Sequence, residues 1–334
     1  MTQNEIKIGI IGLGHMGGYH ASACSTIPAI KLVGVADPNE QNWDKVRSRD
    51  IIKTKDFKEL LHAVDGFIIA VPTYLHYEVA KECLENKKHI LLEKPITKDI
   101  SQARELFDIA AKNSVVLHTG HVERFNGALQ EIKKIVHKPY LIESHRIGPF
   151  TPRIQHDTVV LDLMIHDLDI IANIVNSPVK TLNVVSNTIK SNLSDIAVVQ
   201  IQFENGILAN IISSRASQVK KRTMCIHQEK EFIQLDFTTQ DIFIHRHTTA
   251  SVKIGHNQLT YKQAGTVERL FVYKENPLKL EIEHFIRSIM TGENKIAPEK
   301  DLEALKLSLE IEQSIGQYYD SDNRGERGVT HPCL

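Results

Sequence analysis

Residues 6–20, IKIGIIGLGHMGGYH, decide the fold. Ile8, Ile10 and Ile11 make a short apolar run without charges, the pattern of a strand buried on both faces. It runs into Gly12-Leu13-Gly14-His15-Met16-Gly17, a G-x-G-x-x-G spacing, and then into a segment that can continue as a helix. Gly12 permits a tight turn, Gly14 lets backbone N–H groups approach a pyrophosphate, and Gly17 lets helix and strand pack closely. The positive end of the helix dipole would then face the phosphates. An ordinary glycine-rich turn has the same glycines, so the flanking strand and helix carry the argument.

A second strand, Lys31 to Ala36, ends at Asp37, twenty positions after Gly17. A carboxylate there accepts hydrogen bonds from a ribose diol and repels a 2′-phosphate, which argues for NAD over NADP. Pro38 and Asn39 follow, with no Arg beside Asp37, although Asp before Pro is also a turn former.

The chain has 334 residues, comfortable for two domains, with 42% apolar and 24% charged residues and a formal net charge of −1. That balance gives no support for a nucleic-acid partner or an anionic membrane, and no apolar run is long enough to span a bilayer. Cys24, Cys83, Cys225 and Cys333 are far apart and form neither a C-x-x-C pair nor a disulfide framework. With the first strand starting six residues in, a cytoplasmic protein without a signal peptide is expected.

Strand–helix alternation continues through the first third. Strands are expected at Phe67–Val71, Lys88–Leu92 and Ser114–Thr119, with helices at Tyr74–Asn86 and Asp99–Lys112. The expectation is a doubly wound parallel sheet over residues 1–121, whose ligand lies at the carboxyl ends of its strands. The residues closing those strands are Pro72-Thr73, Glu93-Lys94-Pro95 and His121. A Lys fixed at such a strand end could hydrogen-bond a substrate hydroxyl and stabilise the alkoxide formed as hydride leaves; a solvated strand end is the plain alternative.

Taken together, Gly12/Gly14/Gly17, Asp37, Pro72-Thr73…His76, Glu93-Lys94-Pro95 and Gly120-His121…Arg124-Phe125 resemble the glucose–fructose oxidoreductase, inositol dehydrogenase and rhizopine-catabolism family (Gfo/Idh/MocA). The resemblance extends through Asp162-x-x-x-His166 and Asn276-Pro277-Leu278 before the Glu281…Phe285 helix, nearly the full length. It implies a Rossmann domain followed by an α/β domain with a large, mostly antiparallel open sheet. It also implies NAD(P)-dependent oxidation or reduction of sugars and cyclitols by dimers or tetramers joined through the C-terminal sheet. His15, Met16, His76 and Glu93 join the glycines, Asp37, Pro72, Thr73 and Lys94 as expected cofactor contacts.

The second half changes pattern. After a helix near Arg124 to Val136 come strand-like segments at Leu182–Asn187, Ile196–Phe203, Ile207–Ser214, Met224–His227 and Phe232–Asp236. Asn205-Gly206 between two β-rich runs is a hairpin signal, and clustered strands imply an antiparallel sheet. Two helices close the domain, Leu278–Met290 and Asp301–Tyr318; residues 122–319 are thus a substrate and oligomerisation domain, and 320–334 read as a loose tail.

Val159 to Val175, VVLDLMIHDLDIIANIV, is apolar nearly all round apart from Asp167, as a buried helix is. Asp162, His166, Asp169 and Asn173 fall at i, i+4, i+7 and i+11, one polar stripe facing either a cleft or an internal network. The family resemblance assigns Asp162 and His166 to its D-x-x-x-H positions. His166 would accept the hydroxyl proton, Lys94 would orient the hydroxyl, and Asp162 would hold the sugar or the His166 ring.

Within the family, His121-Val122-Glu123-Arg124-Phe125-Asn126-Gly127-Ala128 and Arg146…Arg153…Asp157 resemble the branch that oxidises nucleotide-linked amino sugars, with 3-oxidation of UDP-N-acetylglucosamine as the expected activity. His121, Glu123, Arg124 and Asn126 are the expected substrate contacts. Arg146 and Arg153 either pair with its pyrophosphate or make surface ion pairs. Two departures from the branch are Gly127, where Pro is usual, and Thr158, where Gly is usual. The alternatives are an inositol or free-sugar dehydrogenase, a glycoside hydrolase that uses NAD transiently, and a silent NAD-binding regulator. His245 and His247 share one face of a strand, a pair too small for a metal site, so no metal is expected; Lys220-Lys221-Arg222 reads as a solvated turn.

Overall fold

The computed structural model describes residues 5–46, 50–152, 157–254, 259–293 and 297–325. The chain divides into two compact units, each drawn from three stretches of sequence. The first comprises Met1–Ile135, Thr239–Ile242 and Arg269–Leu305; the second comprises Val136–Thr238, Phe243–Glu268 and Lys306–Leu334.

In the first unit, strands β1 (Ile6–Ile11), β2 (Ile30–Ala36), β3 (Ile52–Thr54), β4 (Gly66–Ile69), β5 (His89–Glu93) and β6 (Leu117–Gly120) form one parallel sheet. Its order, β3-β2-β1-β4-β5-β6, reverses direction between β1 and β4, and ligands of such sheets bind at that switch, beyond the strand ends. Helices α1 (His15–Cys24), α2 (His76–Glu85) and α3 (Ile100–Asn113) make the crossovers. The short apolar strands are buried as their composition requires: Ile8, Ile10, Ile68 and Leu91 lie in the core. At the end of the unit's N-terminal stretch, a 3-10 turn (Val122–Phe125) precedes α4 (Gly127–Ile135), so the single helix expected near Arg124 is in fact two pieces.

A further helix of this unit comes from far along the sequence. Asn276 caps α6 (Pro277–Thr291) by accepting from the Leu278 N–H, with Pro277 at the first position. Leu278, Ile282, Phe285, Ile286 and Ile289 form one apolar stripe, and it packs into the core with Ile8, Ile10 and Leu13. This return explains why the compact units are not contiguous, whereas the sequence suggested a division at residue 121.

The second unit is built on an eight-stranded sheet of β7 (Leu141–Ile147), β8 (Val179–Asn187), β9 (Ile196–Phe203), β10 (Leu208–Ser214), β11 (Lys221–Gln228), β12 (Glu231–Asp236), β13 (Asp241–Ile254) and β14 (Leu259–Leu270). Its order is β14-β13-β12-β11-β7-β10-β9-β8, antiparallel in the pairs β7/β11, β11/β12, β9/β10 and β8/β9, and parallel between β7 and β10. Gly206 makes the hairpin turn between β9 and β10 at φ +87°. One face of this sheet is buried through Ile142, Val199, Ile201, Ile211, Met224 and Ile226; the other, with Leu141, Gln200 and Leu208, is open.

Three expectations change. Lys221 and Arg222 start β11 rather than forming a solvated turn, because they pair with Ile147 and Arg146. The buried rod is not one regular helix: a π-helical turn, Val160–Met164, precedes α5 (Ile165–Val175). Finally, α7 (Pro298–Gly325) runs past Tyr318, so 320–325 are helical, while 326–334 lie outside the described residues.

Candidate active site

The glycine turn has the backbone its sequence implied. Gly12 adopts φ +86°, and a Cβ on Gly17 would come within 1.9 Å of the Gly12 carbonyl oxygen. Gly14 is the N-cap of α1 and has no side chain with which to cap it, a helix start suited to an anion. A Cβ on Gly14 would meet nothing within 4 Å, which is the open approach a pyrophosphate needs. His15 and Met16 open the helix, with the His15 ring 4.4 Å from that of Tyr19.

Asp37 stands at the tip of β2, buried. Its Oδ2 accepts from Leu13 N–H at 2.6 Å, and its Oδ1 accepts from Asn39 N–H at 2.8 Å and Asn42 Nδ2 at 3.1 Å. A carboxylate offers about four acceptor sites, so these bonds leave room on Oδ2 for a ribose hydroxyl. The turn, the uncapped helix start and this carboxylate fit a dinucleotide with a free 2′-hydroxyl. Lys45, which no motif signalled, ties the turn down by donating to the Leu13 carbonyl at 2.7 Å.

At the end of β5, Glu93 Oε1 meets Nε2 of His20, which projects from α1, at 2.7 Å. Burial pushes the Glu93 carboxyl up, but the His20 hydrogen bond and the charges of His20, Lys94 and His76 more than offset it, leaving the group below its ordinary value. Glu93 is therefore an ionised carboxylate directly before Lys94. The Lys94–Pro95 peptide is cis. His76 is buried with Nδ1 2.7 Å from the Pro95 carbonyl and Nε2 3.0 Å from that of Val71. It thus ties the ends of β4 and β5 together, while Pro72 and Thr73 form the turn just before it. His20 lay inside the opening stretch but had no positional argument; only the fold brings it to Glu93.

Among the residues after β6, His121 is buried, and Asn126 donates to Glu123 Oε2 at 3.2 Å. Arg124 pairs with Asp301 at 2.7 Å. These contacts organise the 3-10 turn from within the unit. Gly127 has a local reason: its N–H donates to Gln240 Oε1 at 3.1 Å, and a Cβ would come within 2.5 Å of the Tyr273 carbonyl oxygen. A proline could not make that bond.

In the second unit, Arg146 points inward from β7 and is 1% exposed. It grips Asp167 through Nε at 2.8 Å and a terminal nitrogen at 3.0 Å, and its guanidinium lies 5.2 Å from the Phe237 ring centre. Of the two readings of Arg146, a pyrophosphate contact or a surface ion pair, the side chain makes an ion pair, but a buried one, which also explains why Asp167 is buried. Strand alternation decides it: Ile142, Ser144 and Arg146 share the covered face of β7. Arg153 lies outside the described residues.

Asp162 sits in the π-helical turn and His166 in the first turn of α5, both half-buried. Asp169, by contrast, accepts from Asn173 Nδ2 on the same helix and belongs to the interior. Thr158 hydrogen-bonds Glu312 and gives its carbonyl to the Asp162 N–H at 3.0 Å, so it anchors the start of the rod. Among the described residues no group of three or more His, Cys, Asp or Glu is arranged to hold a metal ion.

A parallel switch-point sheet with an uncapped glycine turn, an acidic residue at β2 and a Glu-Lys strand end defines a nicotinamide-dinucleotide oxidoreductase architecture, here with a second unit on a broad open sheet. Residues 6–121 match the GFO/IDH/MocA oxidoreductase family, NAD-binding Rossmann fold, and residues 127–234 match the GFO/IDH/MocA C-terminal domain. The chain belongs to this family.

Among its relatives is UDP-N-acetylglucosamine 3-dehydrogenase of Acidithiobacillus ferrooxidans, 29% identical over 85% of this chain and 89% of that protein. A solved structure of that dehydrogenase superposes with TM-score 0.81, at 27% identity, covering 92% of this chain and 96% of the other. The scyllo-inositol 2-dehydrogenase (NAD(+)) of Bacillus subtilis is 26% identical over 64% of this chain and 69% of its own. The fold is shared with scyllo-inositol dehydrogenase from Lactobacillus casei, solved with NAD(H) and scyllo-inositol, at TM-score 0.75 and 19% identity, with 92% of this chain and 96% of that chain covered.

Proposed function

We propose that the protein oxidises a secondary hydroxyl of a nucleotide-linked amino sugar, with C3 of UDP-N-acetylglucosamine as the substrate position. The observation that carries this is the 29% identity, over 85% of the chain, to a dehydrogenase named for that activity. It is joined by an NAD-type Rossmann unit, with Glu93-Lys94 at a strand end and Asp162 and His166 on a braced rod.

Bound NAD supplies the hydride acceptor. Lys94, held at the end of β5 behind an ionised Glu93, hydrogen-bonds the reacting hydroxyl and stabilises its developing negative charge. His166 accepts the proton, and Asp162, four residues earlier, orients the sugar or the His166 ring. The glycine turn and Asp37 hold the pyrophosphate and adenosine ribose. His121, Glu123, Arg124 and Asn126 shape the wall after β6, and Arg153 is the remaining pyrophosphate ligand. The enzyme acts in the cytoplasm, in keeping with the free thiols Cys24, Cys83 and Cys225. It assembles as a homodimer or homotetramer through the open face of the eight-stranded sheet; the molar mass in solution by light scattering checks this.

Purified protein with NAD would be offered UDP-N-acetylglucosamine, free N-acetylglucosamine, myo-inositol and scyllo-inositol, while NADH absorbance is followed and products are identified by mass spectrometry. NADH formation with a 3-keto sugar nucleotide is expected. Turnover of the cyclitols alone would replace the substrate assignment, and release of a leaving group without NADH would indicate a hydrolase. Lys94→Met and His166→Asn should each lower kcat by about 10²- to 10⁴-fold while NADH binding persists. Near-normal turnover in either would remove that residue from the mechanism.

A further inference from the structure

Arg215 stands directly after β10 and is 3% exposed. Its Nε donates to Asp195 Oδ1 at 2.7 Å, one terminal nitrogen to Ser191 Oγ at 3.0 Å, and the other to the Asp157 carbonyl at 2.7 Å. The first two partners belong to the loop before β9; the third opens the segment that becomes the buried rod. Asp195 is itself fixed. Its Oδ2 accepts from the Ile189 and Ser191 N–H groups at 2.8 and 2.9 Å, and its Oδ1 from Ser191 Oγ at 2.7 Å. The Arg215 N–H also donates to the Asp195 carbonyl at 2.9 Å. A guanidinium held at this many points cannot turn without breaking several bonds together, because its fork is planar and rigid.

The rod is gripped where it starts. Arg215 holds the Asp157 carbonyl, Glu312 of α7 holds the Thr158 hydroxyl, and the Ser194 carbonyl accepts from the Val159 N–H at 2.9 Å. Three successive residues are thus tied to three different parts of the second unit. The Thr158 carbonyl then accepts from the Asp162 N–H at 3.0 Å, which passes the clamp into the π-helical turn carrying Asp162 and on to His166 in α5. A π-helical turn departs from the regular i to i+4 ladder, so its place is set by what holds its ends.

We propose that Arg215 is a positioning residue for hydride transfer: by fixing the Asp157 carbonyl it sets where the rod begins, and so where Asp162 and His166 stand. The proposal rests on the reading of those two residues as the groups that meet the sugar. Arg215 acts through the backbone and touches neither sugar nor cofactor. A displacement of about 1 Å at the reacting groups is enough to cost on the order of a hundredfold in rate.

The test compares two variants of the full-length protein. Arg215→Lys keeps a positive charge beside Asp195, but a single ammonium does not reproduce the fork that reaches Asp195 and the Asp157 carbonyl together. Ser191→Ala is the control: it takes a hydroxyl out of the same network and leaves the bond to Asp157 in place. Hydrogen–deuterium exchange of the amides at 157–166 should quicken about tenfold in Arg215→Lys and keep the wild-type rate in Ser191→Ala. Unchanged exchange in Arg215→Lys would overturn the proposal without any substrate. With NAD and the sugar that the wild type turns over, Arg215→Lys should lose about tenfold in kcat with the KM for NAD unchanged, while Ser191→Ala stays within about twofold. Activity losses that follow Tm across both variants would show a role in stability alone and overturn it. Full turnover in His166→Asn would instead overturn the reading of the rod on which the proposal rests, with the exchange result still reporting whether Arg215 holds its start.

Discussion

Arg146 and Asp167 form a buried two-point ion pair, at 2.8 and 3.0 Å, that joins β7 to α5. Both side chains are almost wholly withdrawn from solvent, so either charge alone would be stranded. Arg146→Leu or Asp167→Leu should each destabilise the protein by about 3–5 kcal/mol, and the double variant should cost less than their sum. Urea unfolding of the three variants measures this; additive losses would mean that the two charges are answered separately.

Asp37 should set the cofactor preference. Asp37→Asn keeps the shape of the side chain but removes the charge that, on the proposed reading, holds the ribose diol and repels a 2′-phosphate. About 1.5–3 kcal/mol of charged hydrogen bonding is at stake, so kcat/KM for NAD should fall about ten- to hundredfold while the ratio of NADP to NAD use rises. Steady-state kinetics with both cofactors decides it, and an unchanged ratio would remove Asp37 from that role.

Asp195 should contribute stability to the second unit that is lost in acid. Burial pushes this carboxyl up, but bonds from the Lys190 N–H, Arg215 and Ser191 hold it far below the usual range. A depressed folded-state pKa gives stability that is present above the unfolded value of about 4 and is lost as pH falls through the folded one. Asp195→Asn should therefore destabilise by about 3 kcal/mol at neutral pH, and the gap to wild type should narrow steadily below about pH 4. Thermal melts across that range test the sign; a gap that is constant with pH would contradict it.

Gly127→Pro should lower stability by about 2 kcal/mol or more, because it deletes the N–H bonded to Gln240 and brings a ring against the Tyr273 carbonyl. Gly127→Ala keeps the N–H but not the space, and should cost less. Chemical denaturation of the pair separates the two effects, and a neutral proline would show the bond to be dispensable.

Local sequence was enough for much of the first unit. A strand of uncharged isoleucines, three spaced glycines and an acid at the next strand end are read within a few residues of one another, and so is the Asn-Gly hairpin of β9 and β10. The polar stripe of Asp162, His166, Asp169 and Asn173 was also visible, but its meaning was not. Asp169 and Asn173 satisfy each other inside the helix, whereas Asp162 stands in a π-helical turn that no i, i+4 pattern marks. Arg146 read either as a ligand for phosphate or as a surface ion pair, because nothing near it in sequence shows that β7 aims it at Asp167.

What the sequence by itself determined is the class of fold, the dinucleotide turn and the residue types at the strand ends, because backbone conformation and burial patterns are local properties. The tertiary structure alone decided which charges are consumed in the interior: His20 on Glu93, Arg146 on Asp167 and Arg124 on Asp301. Those pairings join residues from 21 to 177 positions apart, as for Arg146–Asp167 and Arg124–Asp301. The physical reason is that the free energy of a buried charge depends on what the fold places beside it.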